Sequence, residues 1–327
     1  MCNQNLGENL IFLISQPRSG STMLQLILSA HPKIHTTSEP WLMLHPIYAL
    51  KNNGYSAEYN ASLSRSTLTT FLNSFSDSKE DYYKAIRIMT LYLYNKSLQS
   101  AYKLYFLDKT PRYYLIIPEL VKIFPEAKFI ILIRNPLSVL ASILNTWVKG
   151  NWVKLKNYYI DLFEAPNLLY EGIKTLSDKA FVVNYENFVE SPETELKKII
   201  EFLNLEFDPE IINYGQIKLP NWPHGDQIGI KKYKKPEKAN IDKWLQLIKT
   251  SQSTYLGKKY LEILGPELIN NLGYNYVEME NTFNKVQDFK LNISLSWDKI
   301  FAAEQTRWNK TYLRALGILD RMERVLK

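Results

Sequence analysis

A chain of 327 residues in which 46% of the side chains are apolar can bury a large core, and its length accommodates one large α/β domain or two smaller ones. The 40 Lys and Arg against 33 Asp and Glu leave a net charge of +7, which favours anionic partners without choosing among nucleotides, nucleic acids and acidic lipids. A single cysteine, Cys2, excludes an intrachain disulfide and any multi-cysteine metal site, and His31, His35, His45 and His224 follow no metal-ligand spacing, so no metal is expected.

The first apolar run, Leu10 to Ile14, is too short to span a bilayer and has neither a basic leader nor a small-residue cleavage site, so a soluble, cytoplasmic protein is expected. Further apolar runs follow at Ile34 to Thr37, Leu104 to Leu107, Phe129 to Ile133 and Phe181 to Val183. Their near-continuous apolar character is what strands buried on both faces need. Helical spacing follows most of them, over Thr22 to Ser29, Tyr113 to Phe124, Leu137 to Val148 and Glu193 to Leu203. The alternation predicts an α/β fold of three layers, with a mainly parallel central sheet of about five strands flanked by helices. Residues 50–78, rich in Ser, Asn and Thr, read as a polar loop or a cover over a substrate cleft, within a helical and loop insertion over 50–103. The expected division is a main domain over 1–275 and a C-terminal helical extension over 276–327. In that extension Trp308, Tyr312, Ala315, Leu319, Met322 and Leu326 share one helix face, which predicts a helix docked on its own domain or the seam of a homodimer.

The strongest chemical signal is Gln16-Pro17-Arg18-Ser19-Gly20-Ser21-Thr22, between a buried strand and a helix. Such a turn presents backbone N–H groups and a helix N-terminus to a phosphate or sulfate. Gly20 permits close approach, Ser21 and Thr22 add hydroxyls, and Arg18 offers a fixed fork of donors. A nucleoside triphosphatase loop would read G-x-x-x-x-G-K-[ST]; here Ser15 replaces the first glycine and Ser21 the lysine, which disfavours a P-loop kinase.

The segment Pro17 to Thr22 after a buried strand resembles the 5'-phosphosulfate loop of sulfotransferases that use 3'-phosphoadenosine 5'-phosphosulfate (PAPS), and its arginine resembles the tyrosylprotein and bacterial types. A second motif, Phe129 to Pro136, ends its strand at Arg134 and leads to Ser142, eight positions on. The resemblance implies that Arg134 and Ser142 grip the 3'-phosphate, and the strand end is where open α/β folds bind ligands. Glu39, 21 positions after Arg18, matches the proposed base, a group this chemistry requires because the attacking hydroxyl must lose its proton. Lys109, in Asp108-Lys109-Thr110-Pro111 after the third strand, matches a lysine that steadies charge on the leaving oxygen. Weaker matches put Tyr185 near the nucleotide and Lys243 at the phosphates. On this resemblance the catalytic residues are Glu39, Arg18 and Lys109, and those binding PAPS are Arg18, Ser19, Gly20, Ser21, Thr22, Arg134, Ser142, Tyr185 and Lys243.

The resemblance spans residues 8–275. It weakens at the basic run Lys231, Lys232, Lys234, Lys235 and Lys238, which lacks the R-K-G lid of hormone-type enzymes and carries Gly229 and Ile230 where the tyrosylprotein type has Ser and Thr. A nucleic-acid-binding protein is disfavoured because its lysines and 22 tyrosines do not interleave into a module. The expected acceptor is a small molecule, a natural product or glycan, presenting a hydroxyl or amine. Trp41, Tyr48, Trp147 and Trp152 are candidate walls for it, and His35 or His45 is the next candidate base after Glu39.

Overall fold

The computed structural model describes residues 6–52, 54, 57–216 and 235–286. Five strands form one parallel sheet: β1 (Leu10–Ser15), β2 (Ile34–Thr36), β3 (Tyr105–Lys109), β4 (Lys128–Ile133) and β5 (Ala180–Asn184). Their order is β2-β3-β1-β4-β5, with Leu13 opposite both Lys109 and Ile130. The expected three-layer α/β class is the one observed.

Side chains alternate between two cores, as the pleat requires. Ile11, Leu13, Leu107, Ile130, Leu132 and Val183 face α1 (Ser21–Ala30), α8 (Tyr185–Glu190) and α9 (Pro192–Phe202). Leu10, Phe12, Ile14, Phe106, Phe129 and Ile131 share the opposite core with four helices: α4 (Ser78–Ala101), α5 (Ile117–Ile123), α7 (Ala165–Leu176) and α10 (Ser251–Asn271). Phe12 stacks on Phe129 with ring centroids 5.4 Å apart and meets Tyr113 edge-on at 6.1 Å. The chain leaves β1 toward one edge of the sheet and β4 toward the other, so the C-terminal end of β1 lies where the winding reverses. That is the place where such sheets hold ligands.

Several elements differ from expectation. β3 runs on through Asp108 and Lys109, so these residues are in the strand and not after it. The helix expected over Tyr113 to Phe124 is a 3₁₀ turn, Pro111–Leu115, and then α5, parted at Ile116 because Pro118 removes a helical donor. The next helix is α6 (Pro136–Ile143), continued by a π turn over Leu144–Val148. Part of the polar stretch 50–78 is helical, α3 (Ala61–Leu72), and α4 follows it as the longest helix described. α4 buries Tyr83, Ile86, Thr90, Leu91, Tyr94 and Leu98, yet its outer side carries exposed Ile88, Met89, Tyr92 and Leu93. Apolar residues on both sides erase the one-faced periodicity by which a helix is recognised. The short α2 (Leu44–Tyr48) and α11 (Tyr276–Asn284) complete the helices used here, and α11 packs Met279 and Phe283 into the core. The residue set Trp308 to Leu326 lies outside the described residues. Among the described residues, no helix is long and apolar enough to cross a membrane, and no group of three or more His, Cys, Asp or Glu could hold a metal ion.

Asp108 fastens the end of β3 to its neighbours. Its carboxylate accepts from Tyr94 and Tyr113 at Oδ2 and from Thr110 at Oδ1, 2.8 Å away. Burial pushes the carboxyl up from 3.8 to about 6, although these hydroxyls and the Lys109 ammonium pull the other way. Below the ordinary value, folded and unfolded chains both keep this proton; between the two values the folded chain binds more of it. Stability from this group is therefore complete in acid and is lost as pH rises through the folded value near 6. Asp108→Asn removes that titration. Urea unfolding should show wild type losing more stability than the variant between about pH 4 and pH 6.5, by on the order of 1–3 kcal/mol; equal pH dependence would contradict it.

Candidate active site

The loop from β1 to α1 curls because two of its residues are left-handed, Arg18 with φ 71° and Gly20 with φ 94°. Gly20 is also required sterically, since a Cβ there would lie 2.5 Å from a ring carbon of Tyr185. The loop is pinned beneath by Gln16, whose amide donates to the Asp161 carbonyl at 2.7 Å. Among the described residues no side chain caps α1, and no acidic residue lies in its first turn. The first N–H groups of a helix have no intrahelical partner, so this end is a donor-rich, positive one. Ser21 and Thr22 are buried beside it, and the wholly buried Ser19 Oγ has no hydrogen-bond partner among the described residues. A buried hydroxyl without a partner is costly, and an anion seated in the loop would satisfy it.

Arg134 follows the last residue of β4 and is almost fully buried. Nη1 donates to the Arg18 carbonyl at 3.1 Å and Nη2 to the Asn240 carbonyl at 2.7 Å, while the guanidinium lies 4.2 Å from the centre of the Tyr185 ring. Its Nε has no partner among the described residues and is a second buried donor available to an anion. Asn135 caps α6 by accepting from the Leu137 and Ser138 N–H groups, and its own N–H donates to Glu186. α6 thereby carries Ser142 to the loop, where its Oγ accepts from Arg18 Nε at 3.3 Å. The Arg18 guanidinium also lies 5.4 Å from the centre of the Trp147 ring, which stacks on Tyr158 at 4.8 Å. Arg18, Ser19, Gly20, Arg134, Ser142 and Tyr185 are thus one cluster, with Ser21 and Thr22 opening the adjoining helix.

Lys243 lies on the 3₁₀ segment Lys238–Lys249. This segment closes on the strand end through its Asn240 and Ile241 carbonyls, which accept from Arg134 and from Ser138 Oγ. The basic residues Lys231, Lys232 and Lys234, with Gly229 and Ile230, lie outside the described residues; Lys235 and Lys238 are exposed.

Beside the loop, Lys109 Nζ donates to Glu39 Oε1 at 2.6 Å and to Thr22 Oγ1 at 3.4 Å. Lys109 is 1% exposed and the Glu39 side chain 15%, so a largely buried ion pair borders the loop. Glu39 Oε2 accepts from the Trp41 indole at 3.2 Å. His35 is turned to Ser97, 3.0 Å away, and burial together with nearby Lys103 lowers its pKa; His45 is exposed on α2. Of the four candidate wall aromatics, Trp41 and Trp147 border this cluster. Tyr48 packs on Gly54 and Lys51, and Trp152 lies against the main core.

The sequence reading missed Arg112 and Asp161. Arg112 Nε and Nη2 meet Asp161 Oδ1 and Oδ2 at 2.9 and 2.5 Å, Tyr114 donates to Oδ1 at 2.6 Å, and the Arg112 guanidinium lies 5.4 Å from the centre of the Trp41 ring. The Asp161 partnership raises the Arg112 pKa above its ordinary value despite the opposing effect of burial. Arg112 stands three positions after Lys109 and was within reach of the motif, whereas Asp161 follows no local pattern.

These features define a class: a parallel α/β protein with a donor-rich loop and helix start after its first strand, an arginine just past the fourth and a buried lysine–glutamate pair beside the loop. The model of the Sulfotransferase family matches residues 10–209, and the chain belongs to that family. It is 28% identical over 292 residues to the nodulation protein NoeE of Sinorhizobium fredii, aligning 80% of this chain with 65% of that protein. With protein-tyrosine sulfotransferase 1 of Danio rerio it shares 26% identity over 212 residues, 64% of this chain and 56% of that one. The chain therefore spans about two thirds or less of the length of these relatives. Among solved structures, the sulfotransferase domain from the curacin biosynthetic pathway aligns with a TM-score of 0.49 and 19% identity, covering 72% of this chain and 89% of that domain.

Gly20→Ala would force a Cβ into a left-handed position and against the Tyr185 ring. The expected result in chemical denaturation is a loss of about 1–3 kcal/mol. Adding Tyr185→Ser should restore only part of it, because the ring contact is relieved and the backbone strain is not. Full restoration would mean that the loop needs no special backbone at this position.

Proposed function

We propose that this protein transfers a sulfuryl group from PAPS to a hydroxyl or amine of a small-molecule acceptor, a natural product or glycan. The observation that carries the reading is the juxtaposition of a donor-rich loop, with donors at Ser19 Oγ and Arg134 Nε that have no partner among the described residues, and the Glu39–Lys109 pair at its edge. Family membership supports it. The donor's 5'-phosphosulfate would lie in the loop from Arg18 to Thr22, with the 3'-phosphate toward Arg134 and Ser142 and the base of the nucleotide near Tyr185. Lys243 would reach the phosphates from the 3₁₀ segment.

In this mechanism Glu39 takes the proton of the acceptor while the freed lone pair attacks sulfur in line. The bond from sulfur to the bridging oxygen breaks, and adenosine 3',5'-bisphosphate leaves with that electron pair. Arg18, Lys109 and the N–H groups at the start of α1 stabilise the charge that develops on the leaving side. The acceptor approaches past Trp41 and Trp147, whose faces suit the flat side of a ring.

Two measurements test the reading. Adenosine 3',5'-bisphosphate should bind more tightly than adenosine 5'-monophosphate, since each charge-assisted bond to the 3'-phosphate is worth up to roughly 1.5–3 kcal/mol. Arg134→Ala should remove that preference in calorimetry; equal affinities in the wild type would overturn the 3'-phosphate site. Glu39→Gln keeps an oxygen for Lys109 to donate to but abolishes basicity, so PAPS-dependent turnover should fall on the order of 100- to 10,000-fold with nucleotide affinity little changed. Near-normal turnover would remove Glu39 from the role of base.

A further inference from the structure

We propose that Trp41 is the positioning residue for Glu39, and that Arg112 and Asp161 hold Trp41 in that task. The inference rests on the reading of Glu39 as the base. It begins with the backbone: Trp41 has φ 54°, a left-handed conformation that a bulky aromatic seldom adopts and that persists only where its surroundings determine it. The preceding Pro40 fixes its own φ and restricts Glu39 before it. The turn Glu39-Pro40-Trp41 is therefore stiff, and the unusual φ at its third residue sets the direction of the indole relative to the carboxylate.

Three contacts determine that direction. The indole N–H donates to Glu39 Oε2 at 3.2 Å. The Arg112 guanidinium lies over the ring at 5.4 Å from its centre. Asp161 grips the same guanidinium at two points, 2.9 and 2.5 Å, so the plane over the indole cannot slide. Asp161 is itself held by the Tyr114 hydroxyl, and its carbonyl accepts from Gln16 at the root of the anion loop. One continuous set of contacts thus runs from the loop through Asp161, Arg112 and Trp41 to the carboxylate. With Oε1 held by Lys109 and Oε2 by Trp41, the carboxylate plane is fixed, and each oxygen keeps its remaining lone pair in a set direction. Orientation of this kind lowers the barrier without adding a reacting group.

Trp41→Phe keeps an aromatic face, though a smaller one, for Arg112 and deletes the N–H donor. The expected result is a fall in kcat of about 10-fold, the loss of one hydrogen bond to a charged group, with the KM for PAPS within about 2-fold of wild type. A second readout needs no turnover. In the proton–nitrogen spectrum of the unliganded protein, the indole signal missing from Trp41→Phe should be displaced in Glu39→Gln, because the N–H donates to that side chain. Arg112→Lys, which leaves Trp41 in place, should displace that signal and lower kcat, and it serves as the kinetic variant if Trp41→Phe does not fold. Unchanged kcat in the folded variant, or an indole signal indifferent to Glu39→Gln, would overturn the positioning role. If Glu39→Gln loses turnover while Trp41→Phe keeps it, only this inference fails. Full turnover in Glu39→Gln removes the base assignment and this inference with it.

Discussion

The buried ammonium of Lys109 is the constraint on which the rest of the site depends. It lies at the end of β3, in a sheet flanked on both sides by core, and a charge in that position must be matched. The match comes from two separate connections, Glu39 in the segment after β2 and Thr22 in the first turn of α1. The chain after β2 must therefore return across the end of β3, and α1 must begin where its second residue reaches the ammonium. Losing one partner of such a pair typically costs about 3–5 kcal/mol, because the other charge stays buried alone. The same requirement that makes the sheet edge fold in one way also keeps a carboxylate and a cation beside the loop that follows β1.

The strands were legible because parallel strands covered on both faces write their burial as continuous apolar runs, and Phe129 to Ile133 is the clearest. The long helix α4 was not, since Ile88, Met89, Tyr92 and Leu93 on its outer side imitate the buried side. The local pattern of strand, turn and helix drew attention to Arg18 to Thr22, and the resemblance added Arg134 and Ser142 at the next strand end and helix. Glu39 and Lys109 were named through resemblance, and their mutual contact belongs to tertiary structure. Arg112 and Asp161 are 49 positions apart, and no periodicity links an arginine in a 3₁₀ turn to an aspartate far along the chain. The hydrogen bond from Trp41 to Glu39 was equally hidden, because it depends on a backbone rotation that composition does not announce.

Two π-helical turns, Leu144–Val148 and Ile160–Glu164, border the same cluster. A π turn fits an extra residue into the helical cylinder and re-aims the side chains that follow, which is one reason such turns gather at functional sites. Here one carries Trp147 over Arg18 and the other presents Asp161 to Arg112. One aromatic plane of the site is thus delivered by irregular helix and another by a left-handed tryptophan, while Arg134 directly follows a regular strand.

Arg134 is oriented by main-chain atoms, the carbonyls of residues 18 and 240, and by the flat face of Tyr185. Peptide oxygens are present whatever residue occupies a position. Genetic drift at position 240 can therefore alter the side chain without removing the acceptor that aims the guanidinium, provided the local path of the chain survives. Insertions and deletions are a different matter, since a shift of one residue within the 3₁₀ segment, just before Asn240, would bring another carbonyl to that place. In lineages descending from this chain, the segment beside Arg134 should tolerate changes of residue type far better than changes of length.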